Sequence, residues 1–257
     1  MEGDLAERQT GYMIRDNSTQ LANAIAERLL REMYEGQYRD AEKLPPETKI
    51  AADIGVSRTA LRDGVAILER EGFVTRKWGI GTIINHHVLA VKARLDIEEE
   101  FMDLIRHCNM EPEIVDVRAV CDEAKERDID TFGVEPGDAM IRVQRTILAD
   151  GVPTIFCTDS FPESFVRVKD YKKEELFEPI FNFLSQRCGK DIVTDLTAIH
   201  AENATGIVRE ELQVEEGAAV LYLNEIGYDL YGNPVLHSDE YYREGVITQT
   251  VLRKKIV

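Results

Sequence analysis

The sequence lacks several features that would place it in other classes of protein. None of its apolar runs reaches the roughly 18 residues that a membrane-spanning helix needs. The first residues are acidic and have no apolar core, so we expect no signal peptide and a cytoplasmic protein. The four cysteines include no CxxC pair, which disfavours a zinc site, and we expect reduced thiols rather than disulfides. His86 and His87 could form a metal pair, but adjacent residues of a strand point to opposite faces, so we expect solvated loop histidines, no metal site and no cofactor.

Basic residues are scarce relative to acidic ones, and the deficit is confined to one part of the chain. The formal net charge is −17 over 257 residues. Residues 15–86 carry eleven Lys or Arg and eleven Asp or Glu, whereas the rest of the chain holds the excess of acid. Length and charge predict two domains, at residues 15–86 and 98–257, joined by a linker at residues 87–97. A neutral N-terminal domain can still hold a local basic stripe that binds nucleic acid.

The stretch that begins at Ser57 predicts a helix with two arginines on one face. Ser57 is placed to cap this helix, and apolar residues recur at i, i+4 and i+7 on another face. Arg58 and Arg62 lie four residues apart, clear of the apolar stripe. Gly55 is placed to end a preceding short helix that has Pro46 in its first turn. Taken alone, the arginines would equally suit a solvated face, but a short helix, a glycine turn and a second helix predict a helix-turn-helix.

Two short strands are predicted to follow, around Gly79-Ile80-Gly81 at the tip of a hairpin. The glycines allow the backbone to approach another molecule closely, and Arg76 and Lys77 lie beside them. This hairpin is therefore predicted to be the wing of a winged helix-turn-helix. We expect Trp78 to pack against the hairpin, and contact with a DNA base or backbone is the alternative.

The remaining chain alternates predicted strands and helices. Tight turns at residues 149–153 and 230–234 join neighbouring strands directly, so the sheet is predicted to be antiparallel and the fold class to be α+β. The predicted strands are Ile114–Asp122, Ala139–Leu148, Thr154–Ser160, Asp191–His200, Ala219–Asp229 and Pro234–Arg243. The predicted helices are Glu98–Cys108, Ala124–Phe132, Lys172–Gln186 and Ala201–Leu212.

Arg145 interrupts an otherwise apolar face of one predicted strand. It alternates with Ile141, Val143 and Ile147, so its charge should be buried and should need a partner. One alternative is an internal ion pair with Asp159 in the returning strand. The other is a ligand, because a guanidinium binds carboxylate or phosphate in a bidentate fork.

Four ordered motifs in the N-terminal domain resemble the winged-helix domain of GntR-family repressors. The motifs are Leu44–Glu47, Val56–Asp63, Leu68–Phe73 and Gly79–Thr82. The resemblance implies operator contacts from the two arginines of the capped helix and from the glycines of the wing. Thr48 stands where these repressors carry another arginine, so either Lys49 replaces it or the operator differs at that base pair. The candidate DNA-binding residues are Thr48, Lys49, Ser57, Arg58, Thr59, Arg62, Lys77, Gly79, Gly81 and Thr82.

The C-terminal part is similar to the UTRA effector domain of the HutC branch of that family. The similar segments are Arg142–Arg145, Asp150–Pro153, Asp159–Pro162, Asp229–Pro234 and Ser238–Arg243. The resemblance implies a chorismate lyase-like fold, a small-molecule effector and a homodimer, with Arg145 as the ligand-reading arginine and Tyr242 as a pocket residue. The candidate ligand-binding residues are Arg145, Cys157, Asp159, Ser238 and Tyr242.

Four positions depart from the pattern of relatives that sense sugar phosphates. Ile147, Cys157, Pro179 and Leu236 stand where those relatives have an arginine, a glutamate, a serine and an acid. The loss of these polar groups favours a less polar effector with one acidic group or none.

The sequence therefore predicts a dimeric repressor that binds palindromic double-stranded operator DNA and is released by an effector, away from any membrane. The alternatives are a protein-interaction module and an enzyme with a lyase-like C-terminal domain. An enzyme would need a converging acid–base set or an activated nucleophile. His200 and His237 are lone candidates with no motif around them, so we expect no catalytic residues.

Overall fold

The computed structural model describes residues 20–97, 99–177 and 179–254, which form two compact units. The first contains the described residues up to Lys92 together with residues 252–254, and the second spans Ala93–Val251. These units differ from the predicted ranges at their ends. Residues 252–254 join the first unit, where Lys254 Nζ donates hydrogen bonds to the carbonyl oxygens of Glu69 and Arg70. Three predicted features lie outside the described residues: the N-terminal segment, where no signal peptide is expected, the domain start at residue 15, and Glu98.

Three helices form the body of the first unit. Helix α1 covers residues 20–34, α2 covers Glu47–Ile54 and α3 covers Arg58–Arg70. The apolar stripe predicted along α3 is buried, and it packs with the buried side of α1 in the core of this unit. The predicted cap is confirmed, since Ser57 Oγ accepts the Ala60 N–H at 3.1 Å. The predicted left-handed turn is also confirmed, because Gly55 has a φ of 76° at the end of α2. Pro46 precedes the first turn of α2 as its N-cap.

A two-stranded hairpin and a short helix complete this unit. Strand β1 covers Val74–Lys77 and pairs antiparallel with β2, which covers Gly81–Ile84. Glu69 of α3 anchors β1, because its carboxylate accepts both the backbone N–H and the guanidinium of Arg76, at 2.9 and 2.7 Å. Helix α4 covers His86–Leu89 and extends into the predicted linker at residues 87–97, so the expectation that His86 and His87 lie in a loop was wrong. The last two residues of α4 are buried. The contact between Glu69 and Arg76 thus fixes the hairpin against α3.

The second unit is built on an antiparallel sheet of six strands. Its strands are β3 Pro112–Glu123, β4 Ala139–Ala149, β5 Val152–Pro162, β6 Thr194–Asn203, β7 Ala219–Tyr228 and β8 Pro234–Arg243. They run in the order β3-β4-β5-β8-β7-β6, and β4–β5 and β7–β8 are the hairpins that the two turns predicted. All six lie within three residues of their predicted bounds. The α+β fold class is confirmed.

Helical segments cover both faces of this sheet. One face packs against α5, Phe101–His107, and against a segment that contains 3₁₀ turns at Glu163–Phe165 and Lys173–Phe177 and helix α7, Ile180–Phe183. The other face packs against α8, Gly206–Leu212, and lies next to α6, Glu126–Phe132. Among the described residues no helix is long and apolar enough to cross a membrane.

Two predicted helices were wrong in their extent. The predicted helix Lys172–Gln186 is a 3₁₀ turn, the four-residue α7 and a π-helical turn at Leu184–Cys188, with Pro179 at the N-cap of α7. Proline lacks the amide that a continuous helix would need at that point. The predicted helix Ala201–Leu212 starts only at Gly206, because β6 continues to Asn203 through its pairing with β7.

Gly64 of α3 lies against Ala22 and Ile25 of α1, which gives a test of this packing. A Cβ at residue 64 would lie 2.6 Å from Ile25 Cγ2 and 3.1 Å from the Ala22 carbonyl oxygen. We expect Gly64→Val to lower the free energy of unfolding by about 2 kcal/mol, because overpacking costs about 1–3 kcal/mol. Asp63→Val, at the preceding exposed position of α3, should change it by less than about 0.5 kcal/mol. Chemical denaturation followed by circular dichroism measures both, and equal stability of the two variants would contradict the packing.

Candidate nucleic-acid interface and ligand site

The recognition-helix candidate presents its predicted contact residues to solvent. Ser57, Arg58, Thr59 and Arg62 are exposed at the start of α3, while the opposite side of the helix is buried. Thr48 and Lys49 are exposed in the first turn of α2. An exposed helix N-terminus with two guanidinium groups can reach base edges and phosphates in the major groove. These six residues are therefore presented by two consecutive helices of one compact unit.

Arg62 is not an isolated cation. Its Nε donates to Glu47 Oε2 at 2.8 Å, so a carboxylate from the first turn of α2 holds the guanidinium of α3. The contact spans the glycine turn between the two helices and orients Arg62 while most of its side chain remains exposed. Sequence reasoning missed this pair, because the two residues are fifteen positions apart.

The wing carries Lys77, Gly79, Gly81 and Thr82 at and beside its tip. Gly79 and Gly81 have φ values of 75° and 105°, in the region that favours glycine, and an added Cβ at either would meet nothing within 4 Å. The backbone conformation therefore requires glycine at both positions, since the space around them would admit a larger side chain. The tip is open to an outside molecule.

The expectation that Trp78 packs against the hairpin was wrong. Its relative exposure is 101%, and Ile80 is also exposed. The last cross-strand pair is Lys77 with Gly81, so Trp78 lies in the turn beyond the ladder, where no residue of the partner strand stands opposite it. The alternative, a contact with DNA, stays a prediction.

The five candidate ligand-binding residues lie on one face of the large sheet and are buried. The strand register pairs Arg145 with Cys157 across β4 and β5, and Asp159 with Ser238 across β5 and β8. Tyr242 lies further along β8, and its hydroxyl donates to Glu240 Oε2 at 2.8 Å. The alternation of side chains along the strands therefore places all five on one face, and their role in binding a ligand stays a prediction.

Arg145 forms the internal ion pair that was one of its two alternatives. Its Nη1 donates to Asp159 Oδ2 at 2.9 Å, and both side chains are only 4% exposed. Its Nη2 donates to the Leu176 carbonyl at 3.0 Å, and Ser238 Oγ donates to the other oxygen of Asp159 at 2.7 Å. Among the described residues, Arg145 Nε is buried without a hydrogen-bond partner. The guanidinium therefore retains one donor for a further acceptor.

The surroundings of Arg145 are rich in carboxylates. Burial raises the pKa of Asp159, and the Arg145 charge and the Ser238 hydroxyl oppose that rise. Burial also raises the pKa of Glu100, against the attraction of Arg145. Burial raises the pKa of Glu225, which accepts a hydrogen bond from Thr197. This acidic environment makes a second buried anion beside Arg145 unfavourable unless it displaces or neutralises a carboxylate.

A cavity of about 480 Å³ opens beside the edge strand β3, and sequence reasoning missed it. Its apolar wall includes Ile141 and Leu176, and Cys121, Glu163 and Lys169 supply polar groups. This volume lies in the range of small-molecule sites. Leu176 links the cavity to the predicted set, because its carbonyl accepts the hydrogen bond from Arg145. A second cavity of about 40 Å³ lies beside Tyr242.

The opposite face of the sheet carries a polar network that the sequence pattern did not predict as a unit. Arg142 donates to Asp122 at 2.7 Å and to the buried Asp128 of α6 at 2.5 Å. Further along this face, His237 Nε2 lies 2.7 Å from Asn224 Nδ2. The ring of His200 stacks on that of Tyr222, with centroids 5.6 Å apart.

His237 is buried, and burial lowers the pKa of its imidazole against the opposing charge of Asp239. In the part of the chain that the structure describes, no cluster of three or more His, Cys, Asp or Glu residues could hold a metal ion.

Comparison with known proteins gives consistent matches over both units. A model of the UTRA domain matches residues 109–245, more than half of the chain, and a model of bacterial regulatory proteins of the gntR family matches residues 21–84. An uncharacterized HTH-type transcriptional regulator of Rhizobium meliloti is 25% identical over 250 residues, which cover 93% of this chain and 94% of the relative. The "Probable fructoselysine utilization operon transcriptional repressor" of Escherichia coli is 21% identical over 239 residues, which cover 90% of this chain and 93% of the relative.

Two solved structures share the fold along most of their length. The possible transcriptional regulator YydK of Bacillus subtilis superposes with a TM-score of 0.72 at 18% identity, covering 91% of this chain and 99% of that one. PhnF of Mycobacterium smegmatis gives a TM-score of 0.55 at 18% identity, covering 90% of this chain and 99% of that one. At these identities the likeness concerns the fold.

The buried ion pair gives a quantitative test of the sheet's interior. We expect Asp159→Ala to cost about 3–5 kcal/mol of unfolding free energy, because it leaves the Arg145 charge buried without its carboxylate. The double variant Arg145→Met with Asp159→Leu should lose clearly less, since both charges are then removed. Asp103→Ala breaks the exposed pair with Arg106 and should cost less than about 1 kcal/mol. A double variant no more stable than Asp159→Ala alone, in urea unfolding, would contradict a buried pair.

Proposed function

Because the chain belongs to the GntR family of transcriptional regulators that carry a UTRA domain, we propose that it is an effector-released repressor that binds a palindromic operator as a homodimer. We assign it to the HutC branch and to the cytoplasm. The observation that carries the proposal is the capped helix α3, whose exposed Arg58 and Arg62 follow the Gly55 turn and precede an anchored wing. The relatives are regulators rather than enzymes, which disfavours the lyase alternative.

Recognition of DNA is assigned to three parts of the first unit. In the proposal, Arg58 and Arg62 read base edges or clamp phosphates in the major groove, and Ser57 and Thr59 contact the backbone beside them. Thr48 and Lys49 extend this surface along α2, while Lys77, Gly79, Gly81 and Thr82 bring the wing to the adjacent backbone. With Thr48 in place of an arginine, Arg58 and Arg62 carry most of the base reading.

A homodimer explains how so small a surface selects one site in a genome. A single recognition helix reads only a few base pairs, and two copies related by a twofold axis read two half-sites about one helical turn apart. Effector binding is proposed to favour a dimer geometry in which the two recognition helices no longer match that spacing. The operator is then released.

The effector is proposed to bind in the cavity beside β3. The cavity offers apolar walls and one lysine, Lys169, for an acidic group, which agrees with the loss of polar residues noted in the sequence. Leu176 lines the cavity and also accepts a hydrogen bond from Arg145, so an occupant that shifts Leu176 changes the contacts of the buried ion pair. The candidate residues Arg145, Cys157, Asp159, Ser238 and Tyr242 do not line this cavity, so in the proposal they sense the effector through Leu176.

The operator assignment is tested with the intact chain and DNA that the chain selects from a random-sequence pool. We expect the selected duplexes to contain an inverted repeat, and Arg58→Ala and Arg62→Ala each to weaken binding by about 1–3 kcal/mol. Fluorescence anisotropy of labelled duplex measures the affinity. Arg106→Ala removes an exposed arginine of the second unit and serves as the matched control. Failure to select any sequence, or wild-type affinity for both helix variants, would refute the proposal.

The effector site is tested through the thiol of Cys121, which lies exposed at the cavity. Burial, with the charges of Glu163 and Asp122, raises the pKa of this thiol above its usual range, so its alkylation should speed up continuously from neutral pH to beyond pH 9. A metabolite that raises the melting temperature and releases the operator should slow the alkylation of Cys121. Cys157 and Cys188 are buried and should react slowly throughout. A releasing metabolite that leaves Cys121 reactivity unchanged would exclude this cavity.

A further inference from the structure

We propose that Trp78 is a DNA contact that enters the minor groove beside each half-site and wedges against a base step there. The inference rests on the DNA-binding function proposed above and adds a residue that reads DNA by a different physical principle. Trp78 is the chain's single tryptophan, and it stands fully exposed at the tip of the wing.

Exposure alone does not indicate a DNA contact, since Tyr231 is also 83% exposed in a turn of the second unit. The difference lies in the surroundings. Trp78 follows Lys77 directly and precedes Gly79, in the hairpin that the Arg76–Glu69 contact ties to the recognition helix. A large apolar ring in that place is continuous with the DNA-binding surface. Its indole can be desolvated by DNA while the neighbouring ammonium pairs with a phosphate.

The dimensions of the hairpin favour entry by the side chain rather than by the backbone. Strands of four residues extend roughly 13 Å, which is comparable with the width of a DNA groove. The minor groove is only about 6 Å wide, too narrow for two strands spaced about 4.8 Å apart with their side chains. A single flat ring fits. Gly79 and Gly81 carry no side chains that would keep the turn away from the sugar–phosphate walls.

Apolar side chains that enter the minor groove partly unstack a base step and bend the duplex away from themselves. Pyrimidine–purine steps unstack most easily, so a wedge selects them through deformability rather than through hydrogen bonds. The proposed role of Trp78 is therefore to favour a flexible step at the flank of each half-site. Arg58 and Arg62 read the centre of the half-site by direct contact.

The single tryptophan makes the protein its own probe. In the intact free chain, iodide and acrylamide should quench Trp78 emission strongly. Addition of an operator duplex selected from a random pool should change the emission and cut the quenching by iodide several-fold. A shuffled duplex at the same concentration should protect it less.

Variants separate this contact from the function on which it rests. We expect Trp78→Ala to weaken operator binding about tenfold, equivalent to about 1.4 kcal/mol, and to abolish the preference for flexible steps in a repeated selection. Trp78→Phe should keep most of both, because a smaller ring still wedges. Tyr231→Ala, which removes a strongly exposed aromatic ring of the second unit, should bind like the wild type. Thermal unfolding should be unchanged in all three, since both rings are almost fully exposed among the described residues.

Quenching and affinity together distinguish a wrong wedge from a wrong DNA-binding surface. If Trp78 stays fully open to quenchers in the operator complex and Trp78→Ala binds within twofold of the wild type, while Arg58→Ala loses binding, the wedge is wrong and the DNA-binding assignment stands. If Arg58→Ala also binds as tightly as the wild type, the assigned DNA surface itself is wrong.

Discussion

Strict alternation of side chains along β4 is the constraint on which the larger unit depends. Arg142 and Arg145 are three positions apart, so they must point to opposite faces of the sheet. Each finds acids on its own face: Arg142 pairs with carboxylates of β3 and α6, and Arg145 pairs with Asp159 of β5. A slip of one residue in any of these pairings would exchange the faces and leave buried charges opposite apolar groups. The two guanidinium groups therefore specify register more strictly than apolar residues alone would.

This register also arranges the face of the sheet that carries the five candidate ligand-binding residues. Apolar clusters form at both ends of that face, one beneath the segment with α7 and the other beneath α5. The Arg145–Asp159 pair lies between them, in a strip where polar groups of β5, β8 and β7 follow one another across the sheet. Leu176 belongs to the cover on one side and bonds to Arg145 below it. The covering segment is thus tied to the central strands by one main-chain carbonyl as well as by the apolar packing of Leu176.

Features governed by local sequence were predictable, and features governed by tertiary pairing were not. The cap at Ser57, the left-handed turn at Gly55 and the bounds of the six strands followed from the chemistry of adjacent residues. The start of α8 did not, because pairing with β7 keeps residues of helical propensity in β6. The break at Pro179 carried a usable signal, since proline interrupts a helix. The partner of Arg145 could be named but not chosen over a ligand, and the cavity beside β3 could not be foreseen, because its walls are far apart in the chain.

The contact between Glu47 and Arg62 bears on how strongly DNA binding responds to salt. An arginine that neutralises a phosphate releases condensed counterions, and each such release steepens the fall of affinity with ionic strength. Arg62 has a carboxylate at its Nε, which compensates part of its charge from within the protein. We therefore expect Arg62 to release fewer counterions on DNA binding than an arginine without such a carboxylate would. With this pair and a net charge of −17, we expect DNA binding to depend more on the geometry of the contacts than on bulk attraction to a polyanion.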